Sequence, residues 1–562
     1  MQIELRRAFL TMLLVTLSNV SAAESDIRLV LQITVDQLRG DLPLRHMKQF
    51  GKGGFKYLKK NGVWYTNANY QHANTETIVG HASLATGATP AIHGMIGNVW
   101  LDRDTDKLVY NVEDPRYSLL SSNADVDKAN EIDPTQRVAN SDGRSPRALL
   151  SSTFSDELAI RYPGQSKVFS VSVKDRGAIP LAGGSGKAFW FSKAAGEFVT
   201  SNYYYDAYPQ WVLDWNKAGK LDAYADHSWE LSNKPGSYQR IEQDDNAWET
   251  DFPGYGRTFP HPWGPRDSKY FTTLLTVSPA GDELTLDFAK ALLQTEGLGQ
   301  DEIPDYLAIS FSSTDYVGHL FGSSSLEMED NLIRLDRTLA DLFSFIDERV
   351  GLEHTLIVLS ADHGGPEAPG YLQKLHQEAN NVDPELFTAD ALNKRLKNKL
   401  GVKVDMVQTY FHPYVYLDRN KIEEAEFELA TIQRALTEVM MQFSDVAYAF
   451  AASDITQGLV TDNSIAAMVS ANHQHKRSGD VYVVFQSGSF INDFDGLEVA
   501  AAHGSVWRYD RHVPVIFAGN GIASKTVSRA ITPYDIATTL ANKLDVEAPS
   551  GAVGEPLPEV SP

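Results

Sequence analysis

Five short, almost unbroken apolar runs constrain this chain more than any other feature: Leu29–Val35, Lys167–Val173, Asp305–Ser312, Thr355–Ser360 and Val513–Ala518. A strand with one wet face alternates apolar and polar residues, whereas a strand covered on both faces can be apolar throughout. Runs this short and this rich in Val, Ile, Leu and Phe are expected as interior strands of a parallel sheet. Helical periodicity fills the intervals, most clearly at Met328–Arg349 and Lys421–Phe443. The alternation predicts an α/β fold with a central, mostly parallel β-sheet flanked by helices. Two stretches interrupt it. Residues from about 180 to 300 are crowded with aromatics, Gly and Pro, as in Tyr203-Tyr204-Tyr205 and Pro260-His261-Pro262-Trp263, and residues from about 365 to 500 are similarly irregular. Both are read as insertions forming a cap, within one domain spanning residues 24–562.

The first 23 residues are read as separate from that domain. Arg6 and Arg7 precede an apolar run over Ala8–Leu17, and Ser18-Asn19-Val20-Ser21-Ala22-Ala23 follows. A basic start, a short apolar stretch and small residues describe a secretory signal peptide. The run is too short to cross a bilayer, which takes about 20 residues, and no later stretch is apolar enough to span one. The mature chain is expected to be exported, secreted or periplasmic, and monomeric.

Composition removes several classes of function. The 562 residues include no cysteine, so thiol nucleophiles, Cys-based zinc motifs and iron–sulfur ligation are excluded. Any metal must be held by His, Asp, Glu, Ser or Thr. A formal net charge of −23 argues against a nucleic-acid binder that recognises the backbone alone. An anionic substrate would have to be attracted by a local positive site.

Chemistry-bearing residues gather at the strand ends, where open α/β sheets bind their ligands. The first run ends in Asp36. The third runs into Asp315-Tyr316-Val317-Gly318-His319, and the fourth into Asp362-His363-Gly364-Gly365. Carboxylates at three strand ends, two with a nearby His, form a ligand set suited to zinc. Neighbouring side chains on a regular strand point to opposite faces, so Asp362 and His363 can converge only where the strand ends, and Gly364-Gly365 supplies the turn. The tripeptide recurs as Ala225-Asp226-His227, but no apolar strand precedes it, and it is read as surface. His473-Gln474-His475 sits in a Ser/Asn/Lys-rich stretch and is read as solvated. His503, just before the last apolar run, is the better late ligand. Thr77 opens a helical run after a loop, which places its hydroxyl at a helix N-terminus that favours a phosphoryl anion. That segment alone leaves two readings open, a helix cap or a nucleophile needing a base or a metal to activate it.

Taken together, Asp36, the Thr77 segment running into Gly94-Met95-Ile96-Gly97-Asn98, Asp315 with His319, Asp362-His363-Gly364 and His503-Gly504-Ser505 occur in an order that resembles the alkaline phosphatase superfamily. The resemblance implies two zinc ions about 4 Å apart. One would be held by Asp315, His319 and His503, the other by Asp36, Asp362, His363 and the Thr77 oxygen. The second run ends in Lys174-Asp175-Arg176, and Asn98 lies 21 residues after Thr77. This pattern resembles the phosphate-irrepressible, PafA-type branch, in which Asn, Lys and Arg contact the phosphoryl oxygens. Lys and Arg match the charge of a monoester dianion, which a diester does not carry. The resemblance therefore implies a zinc-dependent phosphomonoesterase. It would act on small phosphate monoesters through a phospho-threonine, with Thr77, Asn98, Lys174 and Arg176 as catalytic and substrate-binding residues. No motif suggests a third, magnesium site. A phosphodiesterase or nucleotide pyrophosphatase of the same superfamily remains the alternative, as does a non-catalytic binding protein on this fold.

Overall fold

The computed structural model describes residues 26–129, 131–460, 463–492 and 497–561. The signal-peptide reading of residues 1–23 lies outside them. The chain enters a main sheet with β1 (Leu29–Val35) and β2 (Gly62–Asn69). It continues with β3 (Val168–Ser172), β4 (Lys187–Ser192), β5 (Glu197–Val199), β6 (Asp305–Phe311) and β7 (Thr355–Ser360). A second, four-stranded sheet follows, from β8 (Val407–Phe411), β9 (Tyr414–Leu417), β10 (Val446–Ala451) and β11 (Val481–Phe485). The chain then returns to the main sheet with β12 (His512–Gly519) and β13 (Lys525–Val527). The main sheet has nine strands in the order β13-β2-β12-β7-β1-β6-β3-β4-β5. An α/β fold with a central, mostly parallel sheet is therefore what the chain adopts.

Every residue of β1, β6 and β7 is buried, as their unbroken apolar runs require. Alternate residues of β1 face two different layers. Leu31, Ile33 and Val35 pack with Leu332, Leu335 and Leu339 of a long helix (Leu326–Arg349), whereas Val30 packs with Leu84, Ile536 and Leu540 from helices on the other face. The parallel register levels the strand ends. Val35 pairs with Phe311 and Thr34 with Ser360, while Ser310 pairs with Ser172. Four chain segments thus leave the sheet side by side at its C-terminal edge.

Two expectations need correction. The run Val513–Ala518 does enter the sheet, but it pairs antiparallel with both β7 and β2. Burial on both faces makes a run apolar, and burial is indifferent to strand direction. The Lys421–Phe443 pattern is two helices, Arg419–Glu424 and Leu429–Met440. Glu426 takes a left-handed φ of 59° between them, and the Phe427 amide bonds to the Ile422 carbonyl at 3.1 Å, which closes the first helix. The stretch from about 180 contributes β4 and β5 to the edge of the main sheet. The second sheet packs one face on its own helices, with Val415, Leu417, Val481 and Val483 against Leu392, Ile432 and Leu436. Its other face, Tyr414, Tyr416 and Tyr482, shares a core with Ile78, Val79 and Ala82. That contact seats it over the helix that Thr77 begins.

Candidate active site

The helix Thr77–Thr86 starts after an extended Glu76 and is buried along its whole length. Thr77 is its first residue, not its cap, and its buried Oγ1 has no hydrogen-bond partner. Gly80, one turn on, lies against the Asp362 backbone so closely that a Cβ would collide with the Asp362 carbonyl. This glycine lets the helix start reach the end of β7. Glu76 accepts from the Asn98 amide at 2.5 Å and from Asn74 Nδ2 at 3.2 Å. Asn98 in turn accepts from the Ile78 amide through Oδ1 at 3.2 Å, so Nδ2 is the group Asn98 can offer a substrate.

Asp36, Asp315 and Asp362 bring three carboxylates to the sheet edge, all of them buried. Asp315 Oδ1 lies 3.3 Å from Nε2 of both His319 and His503. His363 Nε2 lies 3.5 Å from Asp36 Oδ1 and 3.3 Å from Asp362 Oδ2. Asp362 is turned by the Gln37 and His363 amides, which donate to Oδ1 at 3.1 and 2.9 Å. The three histidines share one feature. Each directs Nδ1 at a backbone carbonyl 2.8 Å away: His319 at Ala501, His363 at Gly364 and His503 at Thr75. A carbonyl only accepts, so Nδ1 must carry the proton and Nε2 turns its lone pair inward, as in histidine metal ligands.

Lone pairs facing carboxylate oxygens set buried acceptors against one another, and buried polar groups in that condition are costly. Asp36 Oδ1, Asp362 Oδ2, His363 Nε2 and Thr77 Oγ1 are all buried without a hydrogen-bond partner. The residues therefore fit divalent metal. Among the described residues, two groups have the compactness to hold an ion: Asp315, His319 and His503, and Asp36, Asp315 and His363. The first is the trio that the motifs imply. The second draws Asp315 in beside Asp36 and His363, while Asp362 Oδ2 sits 3.2 Å from His81 Nδ1 as well as near His363.

Lys174 Nζ bridges Asp36 at 2.7 Å and Asp315 at 2.5 Å, fully buried. Burial opposes its charge, but Asp315 and Asp36 outweigh burial and raise its pKa. Burial also pushes the Asp36 carboxyl well above its ordinary range, reinforced by Asp362, whereas at Asp315 the pull of Lys174 and His319 overcomes burial and holds it well below. Burial holds His363 down at about 3. Arg176 is buried too, with Nη2 on Asp133 at 2.8 Å and Nη1 on the Tyr110 hydroxyl at 3.3 Å. Thr77, Asn98, Arg176, Asp315, His319 and His503 line one cavity of about 130 Å³.

The structure thus brings together all ten residues that the motifs single out. Asp226 and His227 are exposed, and Asp226 has a left-handed φ of 60°. Among the described residues, His473 and His475 belong to neither metal-sized group. Sequence reasoning missed Glu76, His81 and Asp133. His81 had a signal, since it lies one helical turn after Thr77 and its Nδ1 meets the Thr77 carbonyl at 2.8 Å. Asp133 had none, because a loop carries it to Arg176.

This fold and site define a member of the type I phosphodiesterase / nucleotide pyrophosphatase family, whose model matches residues 30–506. The chain belongs to that family, within the alkaline phosphatase superfamily. It is 33% identical over 541 residues to alkaline phosphatase PafA of Elizabethkingia meningoseptica, covering 95% of this chain and 94% of that one. It is 32% identical over 537 residues to alkaline phosphatase PhoV of Synechococcus elongatus, covering 95% and 92%. A Myroides odoratus protein named calcium-transporting ATPase is 31% identical over 536 residues, covering 95% and 94%. The crystal structure of wild-type alkaline phosphatase PafA aligns with a TM-score of 0.85 at 31% identity, over 95% of this chain and 99% of that one.

Proposed function

We propose that the chain is a phosphomonoesterase, an alkaline phosphatase, which turns phosphate monoesters into alcohol and inorganic phosphate through a phospho-threonine at Thr77. The observation that carries this reading is the convergence of three inward-facing His Nε2 atoms, three carboxylates and a partnerless Thr77 hydroxyl beside two buried cations. The metal would be zinc, two per chain, with Asp315, His319 and His503 on one side and Asp36, Asp362, His363 and Thr77 on the other. When bound, zinc supplies Lewis acidity that lowers the pKa of a hydroxyl and steadies charge on a departing oxygen.

The protein's own residues do the rest. Thr77 Oγ1, placed by the helix start, forms the new bond to phosphorus as the ester P–O bond breaks and the alcohol leaves. Water then attacks phosphorus, the bond from phosphorus to Thr77 Oγ1 breaks, and inorganic phosphate departs as Oγ1 regains a proton from that water. Charge in the loose transition state spreads over three equatorial oxygens, so catalysis is mostly positioning and charge stabilisation. Asn98 Nδ2 and the Lys174 and Arg176 cations bear on those oxygens. Tyr110 and Asp133 hold Arg176 in place. Residues 24–562 act as one exported, monomeric catalytic domain, with the second sheet as its cap and residues 1–23 as signal peptide.

The test is kcat/KM for an aryl phosphate monoester, the matching diester and the matching sulfate, on zinc-loaded protein with its metal content measured. A clear preference for the monoester supports the reading. A preference for the diester would identify the phosphodiesterase of the same family instead, and no turnover of any of them would leave a binding protein.

A further inference from the structure

The phosphoryl chemistry uses only one wall of the cavity that Thr77 lines. Much of the remaining lining is apolar, formed by Ile132, Val277, Leu320, Phe411, Ile491 and Val499 from separate stretches of chain. Val277, Leu320, Ile491 and Val499 are buried and held by packing, while Ile132 and Phe411 are half-buried and offer open surface. Phe411 ends β8, and the ring of the next residue, His412, stacks on Phe485 at 5.7 Å and accepts or donates to the Tyr410 hydroxyl at 3.1 Å. The hairpin tip is therefore fixed against the cavity.

Two further features say what this wall faces. Leu320 directly follows His319, so the apolar surface begins beside Asp315, His319 and His503; with Thr77 placed in the other ligand set, this is the side left for the departing alcohol in the proposed reaction. Cations are also scarce there. Arg176 is the one Lys or Arg among the described lining residues, and Asp133 and Tyr110 already engage it. A substrate carrying a second phosphate or another anion on its alcohol portion would meet no cation in this part of the cavity.

We infer that this wall is the subsite for the alcohol portion of the substrate, and that it selects monoesters of uncharged, apolar alcohols, both alkyl and aryl. The inference rests on the phosphomonoesterase reading and deepens it. An apolar group leaving water for such a wall gains in proportion to the surface it buries, and the gain appears in kcat/KM as far as the transition state keeps the contact.

The experiment uses the zinc-loaded full chain with methyl, propyl and hexyl phosphate, whose leaving alcohols have nearly the same basicity. The expected result is a rise in kcat/KM of up to about fourfold per methylene until the wall is covered. Phe411→Ala should lower the hexyl-to-methyl ratio by about tenfold, and Phe411→Leu should restore most of it. Ile132→Ala should lower the same ratio and serves as the second variant if the Phe411 changes unfold the hairpin. A flat series in the wild-type protein, with methyl phosphate still hydrolysed, would overturn the subsite and leave the phosphomonoesterase reading standing. Ratios unchanged in all variants would overturn it as well. No turnover of any monoester would overturn both.

Discussion

Thr77 and Lys174 owe their roles to what surrounds them. Thr77 is a first-turn helix residue whose hydroxyl neither caps the helix nor finds any partner. Thr77→Ala should cost on the order of 10³-fold or more in kcat, while the remaining ligands keep zinc in place. Near-normal turnover in a folded variant would remove Thr77 as the nucleophile. Lys174 sits between two carboxylates and Arg176 is held by Asp133. Charge-assisted contacts are worth about 1.5–3 kcal/mol each, so the double change Lys174→Ala with Arg176→Ala should cost a monoester about 10²–10⁴-fold. A diester, with less charge on the oxygens those cations face, should lose little. The two cations serve one site, so the single changes need not sum to the double. Equal losses on both substrates would assign the pair to architecture. The identical tripeptides give an internal control. Asp362→Ala should reduce bound zinc, because each ion has few ligands. Asp226→Ala should leave metal content alone and change stability within about ±0.5 kcal/mol.

At the scale of elements, the site depends on how closely a helix start approaches a strand end. Gly80 is the contact that permits it, since a side chain there would meet the Asp362 backbone. Backbone cannot move aside as a flexible side-chain tip can, so the helix would have to shift. Gly80→Ala should therefore displace Thr77 from Asp362. A drop in kcat together with a lower thermal midpoint is expected, and the diagnostic sign is loss of activity at temperatures where circular dichroism still reports a folded chain. Unchanged activity would show that the helix and strand are not tightly coupled. The levelled ends of β1, β6 and β7 matter for the same reason, because a one-residue slip would turn every side chain on a strand to the other face.

Over the whole molecule, burial of acids ties stability to pH. Glu249 is pushed up to about 8, chiefly by burial and then by Glu327. In the unfolded chain a Glu ionises near 4.3. Between those values the folded state holds more protons than the unfolded state, so stability falls as pH rises. Below that window both states are protonated, and above it both are ionised and the loss is complete. Glu249→Gln removes this titrating group. The midpoint of the variant relative to wild type should therefore climb from pH 4.5 to pH 8 and then level off, as thermal melts across that range would show. A difference independent of pH would mean that Glu249 stays ionised in the fold.

What the sequence determined by itself is local: where strands and helices lie, how deeply they are buried, and which residue types stand at their ends. Apolar runs report burial on both faces, so Leu29–Val35 and Thr355–Ser360 could be delimited to the residue, and Asp36, Asp315, Asp362 and His363 stood out because each follows such a run. Direction and pairing are another matter. The run Val513–Ala518 carries no mark of its antiparallel course, since a strand covered on both faces has the same composition either way. Only the tertiary structure placed Asp133 on Arg176, set Lys174 between Asp36 and Asp315, and seated the second sheet over Thr77. These contacts join residues far apart in the chain, and they exist only because the crossovers and the register deliver several strand ends to one edge. The two Ala-Asp-His tripeptides show both levels at once: the apolar run before Asp362 was legible in the sequence, and the fold then carries that strand end to the shared edge while the other tripeptide lies in an exposed turn.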